Sequence, residues 1–158
     1  MRLSWLDYFF ELVQVNERRS SCIRRKVGAV AFDPNTKRVL SMGYNGAPAG
    51  VQECIKRGTC YRQENDIPSG MREELCFAVH AEQNLICYAA RFGVPLKGAW
   101  VCVSCKPCLS CLKALKSVGI ERVIFKEDYP VENYLYSILA EGIDLLSYTE
   151  AKGEVSLW

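Results

Sequence analysis

Apolar residues at Leu3, Leu6, Phe9, Phe10 and Val13 fall on one face at helical spacing, with Asp7 and Glu11 between them. Ser4, followed three residues later by Asp7, resembles a capping box, so a first helix is predicted to end near Glu17. Residues 27–32 and 39–44 are short apolar or β-branched runs. The Asp33-Pro34-Asn35-Thr36 segment that joins them has turn chemistry, and together they read as an antiparallel hairpin. From Asn45 to about Phe77 the chain is rich in Gly, Pro and charge without a sustained period, so residues 45–77 are expected to form a long functional loop or insert. Regular pattern then returns. Residues 80–92 read as a helix ended by Gly93, 99–104 as a strand, 107–118 as a helix stopped by Gly119, and 122–125 as a strand. Residues 131–141 read as a helix ending at Gly142, and 143–148 as a last strand. Strands alternating with helices of this length imply βαβ crossovers, and hence a mixed sheet sandwiched between helices.

At 158 residues, with 49% hydrophobic and 24% charged positions, the chain has the size and balance of one soluble globular domain, residues 1–158. Its net charge of +2 is too small for a nucleic-acid coat or a binder of anionic membranes, so any phosphate recognition must be local. No segment approaches the apolar length needed to span a bilayer, and the charged N-terminal pattern is unlike a leader. A cytosolic protein with nothing cleaved is expected. Nine cysteines, an odd number, argue for thiols and metal ligands over a disulfide framework.

The densest chemistry lies at two predicted helix starts. His80-Ala81-Glu82 opens one and Pro107-Cys108-Leu109-Ser110-Cys111 opens the next, the H-x-E and P-C-x-x-C pairing that marks zinc deaminases. Cysteines three apart in a first helical turn share a face, where unpaired amides and the helix dipole favour thiolate. Pro107 loses no hydrogen bond there. Two thiolates and one neutral imidazole balance the charge of Zn²⁺ and leave a fourth position open, the layout of a catalytic site. Such a zinc lowers the pKa of water to roughly 7. Glu82, turned away from the direction of His80 on the helix, can take that proton without ligating the metal. His80 is the only histidine. Read alone it is a surface or core residue, and Glu82 read alone is a solvated charge; the surrounding motif assigns both to chemistry.

Cys102, Cys105, Cys108 and Cys111 also form a C-x-x-C-x-x-C-x-x-C run that suggests an iron-sulfur cluster. Cys102 lies in a strand pattern, where residues three apart point to opposite faces, so Cys102 and Cys105 are not expected to converge.

With these motifs placed, residues 5–148 resemble the dCMP deaminases of the cytidine deaminase superfamily. The resemblance is carried by Cys22, Val27-Gly28-Ala29-Val30, Gly43-Tyr44-Asn45-Gly46-Ala47-Pro48-Ala49-Gly50, His80-Ala81-Glu82-Gln83-Asn84, Ala89-Ala90-Arg91-Phe92-Gly93 and Gly119-Ile120 with Arg122-Val123. The zinc motif points to the superfamily, and the Gly-Tyr-Asn-Gly-Ala-Pro segment to dCMP. Two positions depart from the pattern: Lys106 where many relatives have Ser, and Gln83 where Leu or Met is usual.

The resemblance implies a cytidine-deaminase-like three-layer α/β/α sandwich with a mixed β-sheet. It implies hydrolysis of dCMP to dUMP and ammonia, supplying dUMP for thymidylate synthesis. Zinc activates the attacking water, while Glu82 protonates N3 and then the departing ammonia. By the same resemblance the Ala81 amide holds the pyrimidine O2 and Asn45 binds sugar or base, although Asn-Gly is also ordinary turn chemistry. Phosphate anchors are sought in Arg24-Arg25-Lys26, chiefly Arg25 and Lys26, and by resemblance in Tyr129; a charge run is equally a solvated face. Arg91 is implied in a regulatory or subunit contact. Some relatives carry a second, structural zinc, and Cys22, Cys54, Cys60 and Cys76 could supply its four thiolates and so fix the insert. Cys87, Cys102 and Cys105 are assigned to packing. A homo-oligomer, hexamer or dimer, with dCTP and dTTP as effectors is implied. The rival readings are deamination of another cytosine or purine nucleoside or nucleotide, and a catalytically silent zinc-binding module, against which the intact Glu82 speaks.

Overall fold

The structure, a computed structural model, describes residues 1–129 and 134–154. Five strands form one sheet: β1 (Gly28–Phe32), β2 (Val39–Tyr44), β3 (Trp100–Cys105), β4 (Arg122–Glu127) and β5 (Asp144–Ser147), in the order β2-β1-β3-β4-β5. The hairpin partner β2 and the central β3 both pair antiparallel with β1, whereas β3-β4 and β4-β5 are parallel. The sheet is therefore mixed. Asp33 accepts from the Asn35 amide at 2.8 Å, which closes the turn between β1 and β2.

Two apolar faces follow from the strand alternation. Val30, Phe32, Cys102 and Ile124 point to one side, where α1 (Trp5–Glu17) buries Leu6, Phe9, Phe10 and Val13. Phe9 stacks on Phe32 with ring centroids 3.8 Å apart. Ser4 caps α1, its hydroxyl accepting from the Asp7 amide at 3.1 Å. Ala29, Ala31, Val101, Val103, Val123 and Phe125 point to the other side, against α4 (Ala81–Phe92) and α5 (Leu109–Ser117) through Leu85, Ala89 and Leu115. These are the three layers expected.

The insert differs from an unstructured loop. It holds three short helical pieces, α2 (Cys54–Arg57), α3 (Tyr61–Glu64) and a 3₁₀ turn at Glu73–Leu75. The helix expected over 131–141 is observed as α6 (Tyr134–Ala140), and residues 131–133 lie outside the described residues. The last strand stops at Ser147, where the chain turns into α7 (Tyr148–Gly153), an element the hydrophobic pattern did not reveal. Its signal was present: Ser147 and Glu150 form a capping box, the hydroxyl accepting from the Glu150 amide at 3.2 Å. Arg122 ties this end down through ion pairs to Asp144 and Glu154. No helix among the described residues is long and apolar enough to cross a membrane.

Candidate active site

The N-termini of α4 and α5 meet beside the C-terminal ends of the parallel strands β3 and β4, the crevice where α/β sheets commonly place ligands. Gly43 on β2 makes the approach of α4 possible, because a Cβ there would lie 2.1 Å from the Ala81 carbonyl oxygen. Antiparallel bridging of Gly46 to Val79 then delivers the chain to His80, the N-cap of α4. On the other side α5 begins two residues later than the sequence pattern suggests. Cys108 is its N-cap, so Pro107 precedes the helix instead of occupying its first turn. The Pro107 carbonyl is held by the Tyr136 hydroxyl at 2.9 Å, and the Lys106 amide by the Glu127 carbonyl at 2.8 Å. The turn that aims Cys108 is thus fixed from α6 and β4.

His80 Nδ1 lies 3.4 Å from the Sγ of both Cys108 and Cys111. Tetrahedral zinc with ordinary Zn–S and Zn–N bond lengths requires an S···N separation of about 3.6 Å, so the three atoms fit the ion with little movement. Among the described residues this is the one group whose His, Cys or carboxylate ligand atoms gather closely enough to hold a metal. Without metal, hydrogen bonds from Cys111 and His80 hold the Cys108 sulfur as thiolate, near 3, and the contact with that sulfur raises His80 to about 9. Cys111 is pushed up as the hydrogen-bonding partner of Cys108. Glu82 is 3% exposed, and burial raises its carboxyl above the usual range, as a proton carrier requires.

The trio opens on a cavity of about 420 Å³. Its lining includes Asn45, Ala81, Glu82, Arg24, Arg25 and Tyr129 together with His80 and Cys108. Arg25 pairs with Glu127 at 3.3 Å and its guanidinium lies 5.2 Å from the centroid of the Tyr129 ring. Tyr129 meets the insert, since a Cβ on Gly70, which sits at φ +77°, would lie 2.9 Å from the tyrosine hydroxyl. Lys26 is exposed and does not line the cavity. Arg91 lies in the exposed last turn of α4, remote from the trio and next to exposed Tyr88 and Phe92.

Asn45 is largely occupied by its own scaffold. Its Oδ1 accepts from the Val27 amide at 2.8 Å and the Ser20 hydroxyl at 2.6 Å, and its Nδ2 donates to the Arg25 carbonyl at 2.7 Å. One amide hydrogen remains for a ligand. The residue therefore shapes the Arg25–Val27 segment that borders the cavity.

Cys22, Cys54, Cys60 and Cys76 all line the same cavity, although no three of them meet the spacing of the His80 trio. Burial raises Cys54 and Cys76; Cys22, Cys60 and Cys76 raise Cys54 further, and Cys22 and Cys60 raise Cys76. The Cys22 sulfur accepts from the Arg24 amide at 3.4 Å, and Cys76 is similarly served by Ala78. The strand alternation separates Cys102, buried against α1, from Cys105, which lines the cavity and whose thiol burial pushes up to about 12. Packing thus describes Cys102, but Cys105 is part of the cavity wall and Cys87 is exposed. Arg62, Glu73 and Lys106 line the cavity as well, and only the Lys106 departure gave any sequence signal for them.

The family model for the cytidine and deoxycytidylate deaminase zinc-binding region matches residues 3–127. A deoxycytidylate deaminase of Schizosaccharomyces pombe is 33% identical over 155 residues, 98% of this chain and 47% of the relative. The chain thus spans about half the length of that relative. A deoxycytidylate deaminase of Mycobacterium phage D29 is 37% identical over 132 residues, covering 80% of this chain and 98% of the phage protein. Among solved structures, a dCMP deaminase of cyanophage S-TIM5 in complex with dCMP and dUMP superposes with a TM-score of 0.70 at 21% identity, covering 93% of this chain and 98% of that one.

Proposed function

The chain belongs to the cytidine and deoxycytidylate deaminase family, and from that premise we propose that it hydrolyses dCMP to dUMP and ammonia. The observation that carries the reading is the metal-fitting trio, with His80 Nδ1 at 3.4 Å from both cysteine sulfurs and buried Glu82 beside it. The named activity of the yeast and phage relatives supports dCMP as substrate.

His80, Cys108 and Cys111 would hold the zinc, which supplies the Lewis acidity that makes water a nucleophile near neutral pH. Glu82 receives the proton of the attacking water, places it on N3 of the cytosine, and then delivers a proton to the exocyclic nitrogen as the C4–N bond breaks. Its burial raises its carboxyl above the usual range, the direction a group that takes up and passes on a proton requires. The Ala81 amide, in the first turn of α4 and without a helical partner, is placed to donate to the pyrimidine O2. Arg25 and Tyr129 of the cavity wall, with Arg24, serve the phosphate, and Lys26, outside that lining, contributes to the local positive potential. Asn45 offers its remaining amide hydrogen to the sugar or base.

Residues 1–158 act as one catalytic unit in this reading, placed in the cytoplasm, where the product dUMP feeds thymidylate synthesis. A second zinc held by Cys22, Cys54, Cys60 and Cys76 would fasten the insert. Its support is that all four cysteines line one cavity and that the Arg24 amide already donates to the Cys22 sulfur. The exposed Tyr88, Arg91 and Phe92 along one side of α4 support a homo-oligomeric contact through Arg91, with dCTP and dTTP as effectors.

Ammonia release from dCMP, dCTP, cytidine, guanine and tRNA by the zinc-loaded protein tests the reading. Turnover of dCMP is expected. Activity on another of these substrates with dCMP inert overturns the choice of substrate, and no ammonia from any of them overturns the enzyme.

A further inference from the structure

The insert brings one carboxylate to the metal end of the cavity. Glu73 opens the 3₁₀ turn and follows Arg72, which is held in the left-handed region at φ 48°. The neighbouring Glu74 pairs with Arg72 at 2.6 Å, leaving Glu73 half-buried between the cavity and an adjoining one that reaches Gln83 and Ser110. Its side chain lies against Cys108, and it feels the charges of that sulfur, His80 and Arg62. Arg62 is itself committed, one terminal nitrogen donating to the carbonyls of Pro68 at 2.8 Å and Met71 at 2.6 Å.

The Cys108 sulfur, held as thiolate even without metal, has no proton to donate. The carboxylate then faces a negative sulfur across a partly buried gap and requires another donor. The reacting carbon of a cytosine must lie at the metal, and it bears the exocyclic amine. The sugar and phosphate of such a substrate would run toward Arg24, Arg25 and Tyr129 of the same cavity. Resting on the proposed deamination, we propose that Glu73 is a substrate-contacting residue that accepts a hydrogen bond from the amine the reaction expels. In the step it serves, the C4–N bond breaks with its electron pair going to nitrogen, Glu82 supplies the proton, and ammonia leaves. Glu73 neither gains nor loses a proton; it orients the amine and favours positive charge on it.

The test uses the full zinc-loaded chain as wild type, Glu73→Ala and Glu73→Gln. Steady-state kinetics on dCMP is compared with calorimetric affinity for the 2-pyrimidinone deoxyribonucleoside 5′-monophosphate, which is dCMP with hydrogen in place of the amine. Loss of a group aimed at developing charge predicts a fall in kcat on the order of 10²-fold for Glu73→Ala, with the affinity for the amine-free analogue changed by less than about threefold. Glu73→Gln keeps the shape and an acceptor oxygen without the charge, so its kcat is expected to fall between the other two. It alone decides the matter if the alanine variant fails to fold. Unchanged kcat, a rise in KM alone, or equal losses of analogue affinity or zinc content overturn the proposal. Wild-type turnover of dCMP is the separate control: its absence refutes the substrate reading, and the Glu73 comparison is then made on whichever amine-bearing base is turned over and its own amine-free analogue.

Discussion

The helix starts of α4 and α5 and the insert between β2 and α4 face one cavity, but they are held there by different means. The helix starts stand on a core: Leu85, Ala89 and Leu115 are buried against the inner strands of the sheet. Beyond its root at Asn45 and Gly46, the insert buries only Cys54 and Cys60. Its order comes from polar ties such as Arg62 to the Pro68 and Met71 carbonyls, and from the guanidinium of Arg57 4.3 Å from the Phe77 ring centroid. Ligands that must keep tetrahedral geometry sit on the part that cannot shift without disturbing the core. The insert's side of the cavity belongs to the part with little apolar support, where local opening costs least.

The comparison is broken most sharply at the metal end. His80→Ala is expected to lose both the catalytic zinc and activity, whereas Glu82→Gln keeps the zinc and loses kcat by at least about 10³-fold. Metal analysis beside kinetics checks both, and full activity in the Glu82 variant would end the proposed mechanism. The insert has its own metal test. Two zinc ions per wild-type chain and one in Cys60→Ser are expected if the four thiols fasten it; a single ion in the wild type removes that role.

A smaller effect separates the two regions by stability. Leu85→Ala leaves a hole under α4 and should cost about 2–5 kcal/mol in denaturant unfolding. Ile55→Ala, at a 56% exposed site in the insert, should stay within about 0.5 kcal/mol. Equal costs would mean that the insert is supported like the core. The smallest effect lies far from both. Hydrogen bonds from Tyr148 and Ser4 hold the Asp7 carboxyl below its ordinary value. The stability they contribute is present above the unfolded pKa of about 3.9 and lost as pH falls through the lower folded value. The Tm difference between wild type and Asp7→Asn should therefore shrink at acid pH, and parallel curves from neutral to acid pH would exclude the linkage.

Much of this molecule was legible as pattern. The face of α1, the hairpin, the parallel crossovers and the helices flanking the metal trio all carry periodicities that burial on a sheet enforces. The pairing of His80-Ala81-Glu82 with Pro107-Cys108 and Cys111 announces its own chemistry. The pattern was weaker where polar contacts decide. It ran β5 into α7, although Ser147 and Glu150 hold the capping signal, because an apolar run gives no notice of where a strand yields to a helix. It assigned Cys105 to packing, since alternation specifies the face a residue points to but not whether that face meets core or cavity.

What the sequence determined by itself is the set of groups and the proximity of Cys108 to Cys111, because residues three apart at a helix start are neighbours through the backbone alone. Only the tertiary structure decided which distant groups share the cavity: Glu73 and Arg62 from the insert, Tyr129 after β4, and Tyr136 bracing Pro107. Those meetings depend on how the sheet orders its strands and where the insert folds back, and no local spacing along the chain encodes a contact between segments brought together by burial.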